Sequence, residues 1–344
     1  MVPPPGSILT GRSRWPVASS PVAGTSQIAA DDFERSLDPQ DGVPAYPGAQ
    51  PPHRRRTVDS SGLPLAVWEW GAADAPPVLF AHGGFDFGRT FDVFGPLVAE
   101  AGWRVVAWDQ RGHGDSAHAH LYSWEADIRD ALAVIDSIGS APLPVLGHSK
   151  GGSLMLQLAD AAPHRVRAVV NLDGLPSTRS WPDVPEHTRT RMLVGDIEGW
   201  LDHRSRAAGS VRRPGTLDEL AERRGRMNPR LSMDWLRYLV SVGARHDPDG
   251  WRWKIDPTLR LGGFGPWRPE WSMWRLPSLG MPVMCVLGLE VEAMGWGTRP
   301  EDVAPYLPAG ARFIPLDGVG HFVHIEKPRT VADLVTGFLS GVAV

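Results

Sequence analysis

A chain of 344 residues, 42% hydrophobic and 22% charged, can bury a full core, and its length fits one large domain carrying an insertion. Its formal net charge of −4 offers no electrostatic footprint for nucleic acid or an anionic membrane. No run approaches the ~18 consecutive apolar residues of a membrane span, and the N-terminus lacks the basic-then-apolar layout of a secretory signal, so a soluble, cytoplasmic protein is expected.

Residues 1–52 hold ten of the 33 prolines and show no apolar periodicity. They read as a flexible or loosely docked arm, dispensable for catalysis. From Arg56 onward, short apolar runs alternate with longer helical patterns. Strands are predicted at Leu65–Trp70, Pro77–Ala81, Arg104–Trp108, Pro144–Gly147, Arg167–Leu172, Val283–Leu287 and Arg312–Leu316. Helices are predicted at Thr90–Ala101, Trp124–Ile138, Ser149–Ala162 and Thr330–Leu339. Continuous Val/Leu/Ala strands alternating with helices predict an α/β fold with an open, mostly parallel sheet covered on both faces. The single cysteine, Cys285, lies in one of these apolar runs and reads as a buried, inert thiol.

Residues 175–276 break the rhythm. They show helical patterns, no strand signal, and eight of the fifteen tryptophans. They read as a largely helical cap over the C-terminal edge of the sheet, where ligands of open α/β sheets bind. The core is then 53–174 with 277–344. A basic run in the insert (Arg204, Arg206, Arg212, Arg213, Arg223, Arg224, Arg226 and Arg230) reads either as a solvated helix face or as an attractor for a carboxylated substrate. The Trp-rich tail from Trp251 to Trp274 either lines an apolar pocket or packs the cap onto the core.

The sharpest chemical signal is Gly147-His148-Ser149-Lys150-Gly151, between an apolar strand and an apolar helix. A nucleophile on such a turn adopts strained backbone angles, and small residues two before and two after let the chains pass closely. The turn lifts the serine hydroxyl to a helix N-terminus, where developing negative charge is favoured. A serine hydroxyl is a poor nucleophile at neutral pH and needs a positioned base; His321 is the candidate.

Together with Ala81-His82-Gly83-Gly84, the segment from Trp108 to Ser116 and the segment from Gly318 to Pro328, this motif resembles the α/β-hydrolase family, over about residues 56–344 apart from the cap. The order Ser then His, with an acid between, is that family's order. The resemblance implies oxyanion donors at the backbone N–H groups of Gly84 and Lys150, and a serine hydrolase without metal or other cofactor. It implies a small-molecule apolar ester or lactone as substrate, with a homodimer left open. His82 is expected to hold its loop by hydrogen bonds, His324 to pack or to bond a loop, Asp109 and Arg111 to tie their turn, and the Lys150 side chain to be solvated or ion-paired. His113, His118 and His120 lack the paired spacing of a metal site.

The acid stays open. Many members carry it in a Gly-x-x-Asp turn after the penultimate strand, but Gly288-Leu289-Glu290-Val291-Glu292 puts Val291 in that slot. Asp173, at the tip of the strand after the nucleophile helix, is preferred, with Glu292 and then Glu290 as alternatives. Ester or lactone hydrolysis is the expected reaction. Carbon–carbon bond hydrolysis, thioester hydrolysis and perhydrolysis share the constellation, and a non-catalytic ligand-binding protein on the same fold is the rival class.

Overall fold

The seven apolar runs and one further strand pair into one eight-stranded sheet, in a computed structural model that describes residues 44–175, 186–207, 209–259 and 272–342. All of these belong to one of two compact units, Gly42–Val344; residues 1–43 of the expected arm and part of the Trp-rich tail, Trp271 included, lie outside the described residues. The strands are β1 (Arg54–Ser60), β2 (Leu63–Trp70), β3 (Pro77–Ala81), β4 (Arg104–Trp108), β5 (Leu143–His148), β6 (Val166–Leu172), β7 (Ala244–Asp247), β8 (Gly250–Trp253), β9 (Val283–Gly288) and β10 (Arg312–Leu316). The sheet order is β1-β2-β4-β3-β5-β6-β9-β10. Pairings β1/β2 and β2/β4 are antiparallel and the rest parallel. Leu79, Phe80, Val106, Val145 and Val170 are wholly buried, because helices cover both faces of the parallel strands.

Those helices are α1 (Phe94–Glu100), α2 (Trp124–Ile138), α3 (Lys150–Ala161) and, at the C-terminal end, α7 (Pro328–Ser340). Ser123 caps α2, its side chain accepting from the Ala126 N–H, and acids occupy the first turn. The single helix expected from Thr90 is instead a 3-10 turn, Gly88–Phe91, followed by α1. Local bonds explain the break. The Thr90 hydroxyl donates back to Phe87 O at 2.8 Å, and Asp109 Oδ1 accepts the Gly88 N–H at 2.6 Å.

Strand β1 carries no apolar run and was not expected. Its Arg54 and Arg56, with Arg104 from β4, converge on Glu69, which is 1% exposed. Burial alone would raise the Glu69 carboxyl, but hydrogen bonds from Arg104, Arg56 and Arg54 outweigh it and hold it at about 2. Charge, and not hydrophobic pattern, thus fixes this edge of the sheet.

Between β6 and β9 the insert forms α4 (Glu186–Ala207), α5 (Leu217–Met227) and α6 (Met233–Gly243). Thr216 and Glu219 make a reciprocal capping box on α5, and Ser232 caps α6. The expectation of a strandless insert is corrected by the hairpin β7–β8. Its strands are only four residues each, and Arg252 ties it by bonding Asp247 at 2.8 Å and Asp249 at 2.5 Å. Leu220, Trp235, Leu236 and Leu239 bury against Phe87 and Phe322, so the insert packs on the loop after β3 and on the loop carrying His321. Among the described residues no helix is long and apolar enough to cross a membrane.

The expected flexible arm ends earlier than residue 52. Tyr46 meets Trp235 edge-on at 5.0 Å, Gln50 N–H donates to Asp92 O at 2.8 Å, and Trp70 Nε1–H donates to Gln50 O at 3.1 Å. Residues 44–52 therefore form a strap joining α6 of the insert to the sheet. One tyrosine and the two hydrogen bonds of the Gln50 main chain hold it, which no apolar periodicity would reveal.

Candidate active site

Strand β5 runs into Ser149, which stands at φ 52° and ψ −122° as the residue preceding α3. This is strained for a side chain with a Cβ, and the close-packed glycines permit it. A Cβ on Gly147 would stand 2.1 Å from Gly151 O, and one on Gly151 would stand 2.2 Å from Ala81 O. The turn is thus pressed against the end of β3 on one side and its own return on the other.

Ser149, His321 and Asp173 come together from three separate strand ends. His321 Nε2 lies 2.9 Å from Ser149 Oγ, and His321 Nδ1 lies 2.5 Å from Asp173 Oδ2. The second Asp173 oxygen accepts the Gly288 N–H at 2.9 Å, so the carboxylate is fixed at both ends. All three residues are at least nine-tenths buried. With the carboxylate on Nδ1, the proton rests there and Nε2 is left free to accept from the serine.

The alternative acids are placed differently. Glu292 Oε2 accepts the backbone N–H of His321 at 2.6 Å, so it anchors the main chain and not the imidazole. Glu290 is exposed and its own N–H donates to Val319 O, while Val291 is 83% exposed. The Glu292 anchor was missed at the level of sequence, because nothing local says that two distant loops meet there.

The loop after β3 runs alongside the serine: a Cβ on Gly83 would stand 3.3 Å from Ser149 Cβ and 3.1 Å from Asp86 Oδ2. Gly84 follows in that loop. Lys150 is the first residue of α3, a position whose backbone N–H has no partner within the helix. His82 holds the loop: Nδ1–H donates to Gly83 O at 2.7 Å and Nε2 accepts the Gln110 N–H at 2.9 Å. Burial keeps His82 neutral, its pKa well below the usual histidine range. The Lys150 side chain is tied down, donating to Asp127 Oδ2 and Gln110 Oε1 at 2.6 Å each.

Other expectations resolve in the same terms. Asp109 accepts from the Gly88 and Asp115 N–H groups, and Arg111 is bidentate to Asp130 at 2.6 Å. His324 packs between Phe91, Phe94 and His148, and burial holds it near 3. His113 is buried while His118 and His120 are exposed, and no set of ligands for a metal forms among the described residues. The insert's arginines act mostly as ties. Arg212 donates to Ile255 O and Asp256 O, Arg230 to Gly318 O and Glu326, and Arg224 to Asp86. Burial pushes the Cys285 thiol up to about 12, so it is not a nucleophile at neutral pH.

Comparison with known proteins places this geometry. A profile of the alpha/beta hydrolase fold matches residues 76–328. A serine hydrolase-like protein of Danio rerio is 26% identical over 298 residues, covering 83% of this chain and 89% of that protein. The sn-1-specific diacylglycerol lipase ABHD11 of Mus musculus is 27% identical over 287 residues, covering 78% of this chain and 83% of the relative. Among solved structures, the thioesterase domain from the curacin biosynthetic pathway superposes with a TM-score of 0.70 at 25% identity, covering 83% of this chain and 99% of that one. An eight-stranded, mostly parallel sheet, the turn at Ser149 and a profile match over most of its length make this chain a hydrolase of the α/β-hydrolase fold family.

Proposed function

We propose that this hydrolase cleaves a carboxylic ester or lactone through an acyl-enzyme on Ser149. The observation that carries the reading is the unbroken series Ser149 Oγ, His321 Nε2, His321 Nδ1 and Asp173 Oδ2, at 2.9 Å and 2.5 Å. Ser149 Oγ attacks the carbonyl carbon while His321 Nε2 takes its proton, and Asp173 holds the imidazole and stabilises the imidazolium. The N–H groups of Gly84 and Lys150 receive the oxyanion, each supplying ~3 kcal/mol of transition-state stabilisation. The tetrahedral intermediate expels the alcohol, which takes the proton from Nε2. Water then enters with the same base and releases the acid, restoring the serine.

A serine at this position excludes the carboxylate-nucleophile chemistry of epoxide opening and haloalkane dehalogenation. Thioester, carbon–carbon bond and peracid chemistry share the same constellation, and the insert, acting as a cap over the site, selects among acyl groups. No cofactor enters the scheme, and the acidic net charge fits a soluble enzyme acting on small molecules. A fluorophosphonate followed by a panel of esters, lactones and thioesters of increasing acyl length tests the reading. Turnover of esters with a burst of alcohol supports it; a protein that binds the panel without turnover is the ligand-binding rival.

A further inference from the structure

A bulky residue sits in left-handed backbone beside the proposed oxyanion donor: Phe85, directly after Gly84, has φ 60°. Such a conformation persists only where surrounding contacts over-determine it. The Phe85 ring packs beside Tyr122, Ile255 and Leu259, and two further side chains hold its main chain. The Phe85 N–H donates to His113 Nε2 at 3.3 Å, and Phe85 O accepts Arg224 Nη1 at 3.3 Å. Arg224 belongs to α5 of the insert, and its Nη2 also donates to Asp86 Oδ1 at 2.6 Å. Both partners are more than nine-tenths buried. Asp86 itself closes the turn by donating its N–H to Gly83 O at 3.3 Å.

We propose that Arg224 is a positioning residue for the hydrolysis: its guanidinium, reaching in from the insert, clamps the turn Phe85–Asp86 and so aims the Gly84 N–H at the oxyanion. This rests on the ester-hydrolase reading above. A guanidinium suits the task because it can hold a carbonyl and a carboxylate at once in a fixed fork, which a lysine ammonium does less well. It also compensates a carboxylate beside the place where negative charge develops. Burial pushes the Asp86 carboxyl up, and Arg224 and then His321 oppose that shift. The cap therefore does more than select acyl groups. Its docking completes the machinery, so an undocked cap leaves the serine without an aligned oxyanion hole.

The test is Arg224→Met and Arg224→Lys in the full chain, with p-nitrophenyl butyrate turnover and the rate of fluorophosphonate labelling. A misaimed donor weakens the transition state and not ground-state binding. In Arg224→Met, kcat falls by about 10- to 100-fold with KM nearly unchanged, and labelling slows by a similar factor. Arg224→Lys recovers part of the loss, and Asp86→Asn combined with Arg224→Met costs less than the two single losses multiplied together. Wild-type kcat with raised KM in Arg224→Met would make the arginine a substrate contact and overturn the clamp. Should Arg224→Met fail to fold, Arg224→Lys decides: wild-type kcat there would reduce the role to charge alone and also overturn it. A wild-type protein that neither turns over the ester nor labels removes the underlying reading instead, which the parent protein reveals before any variant is made.

Discussion

Asp173→Asn separates the two placements of the acid more sharply than any other change. The native carboxylate accepts from both sides, with Oδ1 on the Gly288 N–H at 2.9 Å and Oδ2 on His321 Nδ1 at 2.5 Å. A carboxamide keeps the shape but has one acceptor and one NH2 group. If its oxygen stays on Gly288, the NH2 faces Nδ1 and drives the imidazole proton to Nε2, where it can no longer take the serine proton. If it flips, two donors collide at Gly288. In the serine-protease template the equivalent change lowers kcat about 10⁴-fold, or about 5.5 kcal/mol of barrier. Asp173→Asn should therefore lose about 10³- to 10⁴-fold in kcat on p-nitrophenyl butyrate, with little change in thermal midpoint. Glu292→Gln retains an oxygen for the His321 N–H and should stay within about tenfold of wild type. Loss within tenfold in Asp173→Asn, or a crippled Glu292→Gln, would refute the assignment.

Glu69 sits at about 2 in the folded chain against an ordinary 4.5, so its contribution is fully present above pH 5 and fades as pH falls toward 2. Glu69→Gln should destabilise by up to about 3 kcal/mol at pH 7 and flatten the acid side of a denaturant-midpoint profile; an unchanged profile would remove Glu69 from the account. Deleting residues 1–52 should cost about 2–4 kcal/mol relative to deleting 1–43, through the Tyr46 and Gln50 contacts; equal melting curves for the two truncations would undo the strap. Gly151→Ala places a methyl 2.2 Å from Ala81 O and should both destabilise the fold and abolish fluorophosphonate labelling. Normal labelling in that variant would show the turn to be looser than described.

What the sequence makes legible here is what local sterics dictate. Gly147 and Gly151 are required because the backbone passes about two ångströms from where their side chains would be, so the turn announces itself in five residues. Asp173 is legible by its place at a strand tip, beside a slot filled by Val291. Features that depend on two distant segments meeting are silent. Glu292 reads as an acid displaced by one residue, and only the packing of two loops makes it a main-chain anchor for His321. Arg224 is one of eight arginines in the basic run of the insert, and no pattern marks the one that reaches Asp86. Strand β1 escapes because its pairing to β2 is held by Glu69 and three guanidinium groups, while the four-residue strands of the β7–β8 hairpin are too short to show a period.

The central claim is that Ser149 is the nucleophile, and peptide mapping after fluorophosphonate treatment addresses it directly. The account predicts one adduct, on Ser149, lost in Ser149→Ala together with p-nitrophenyl ester turnover, while the thermal midpoint stays nearly unchanged. An adduct on another residue, or undiminished hydrolysis by a purified, contamination-checked Ser149→Ala protein, would contradict it.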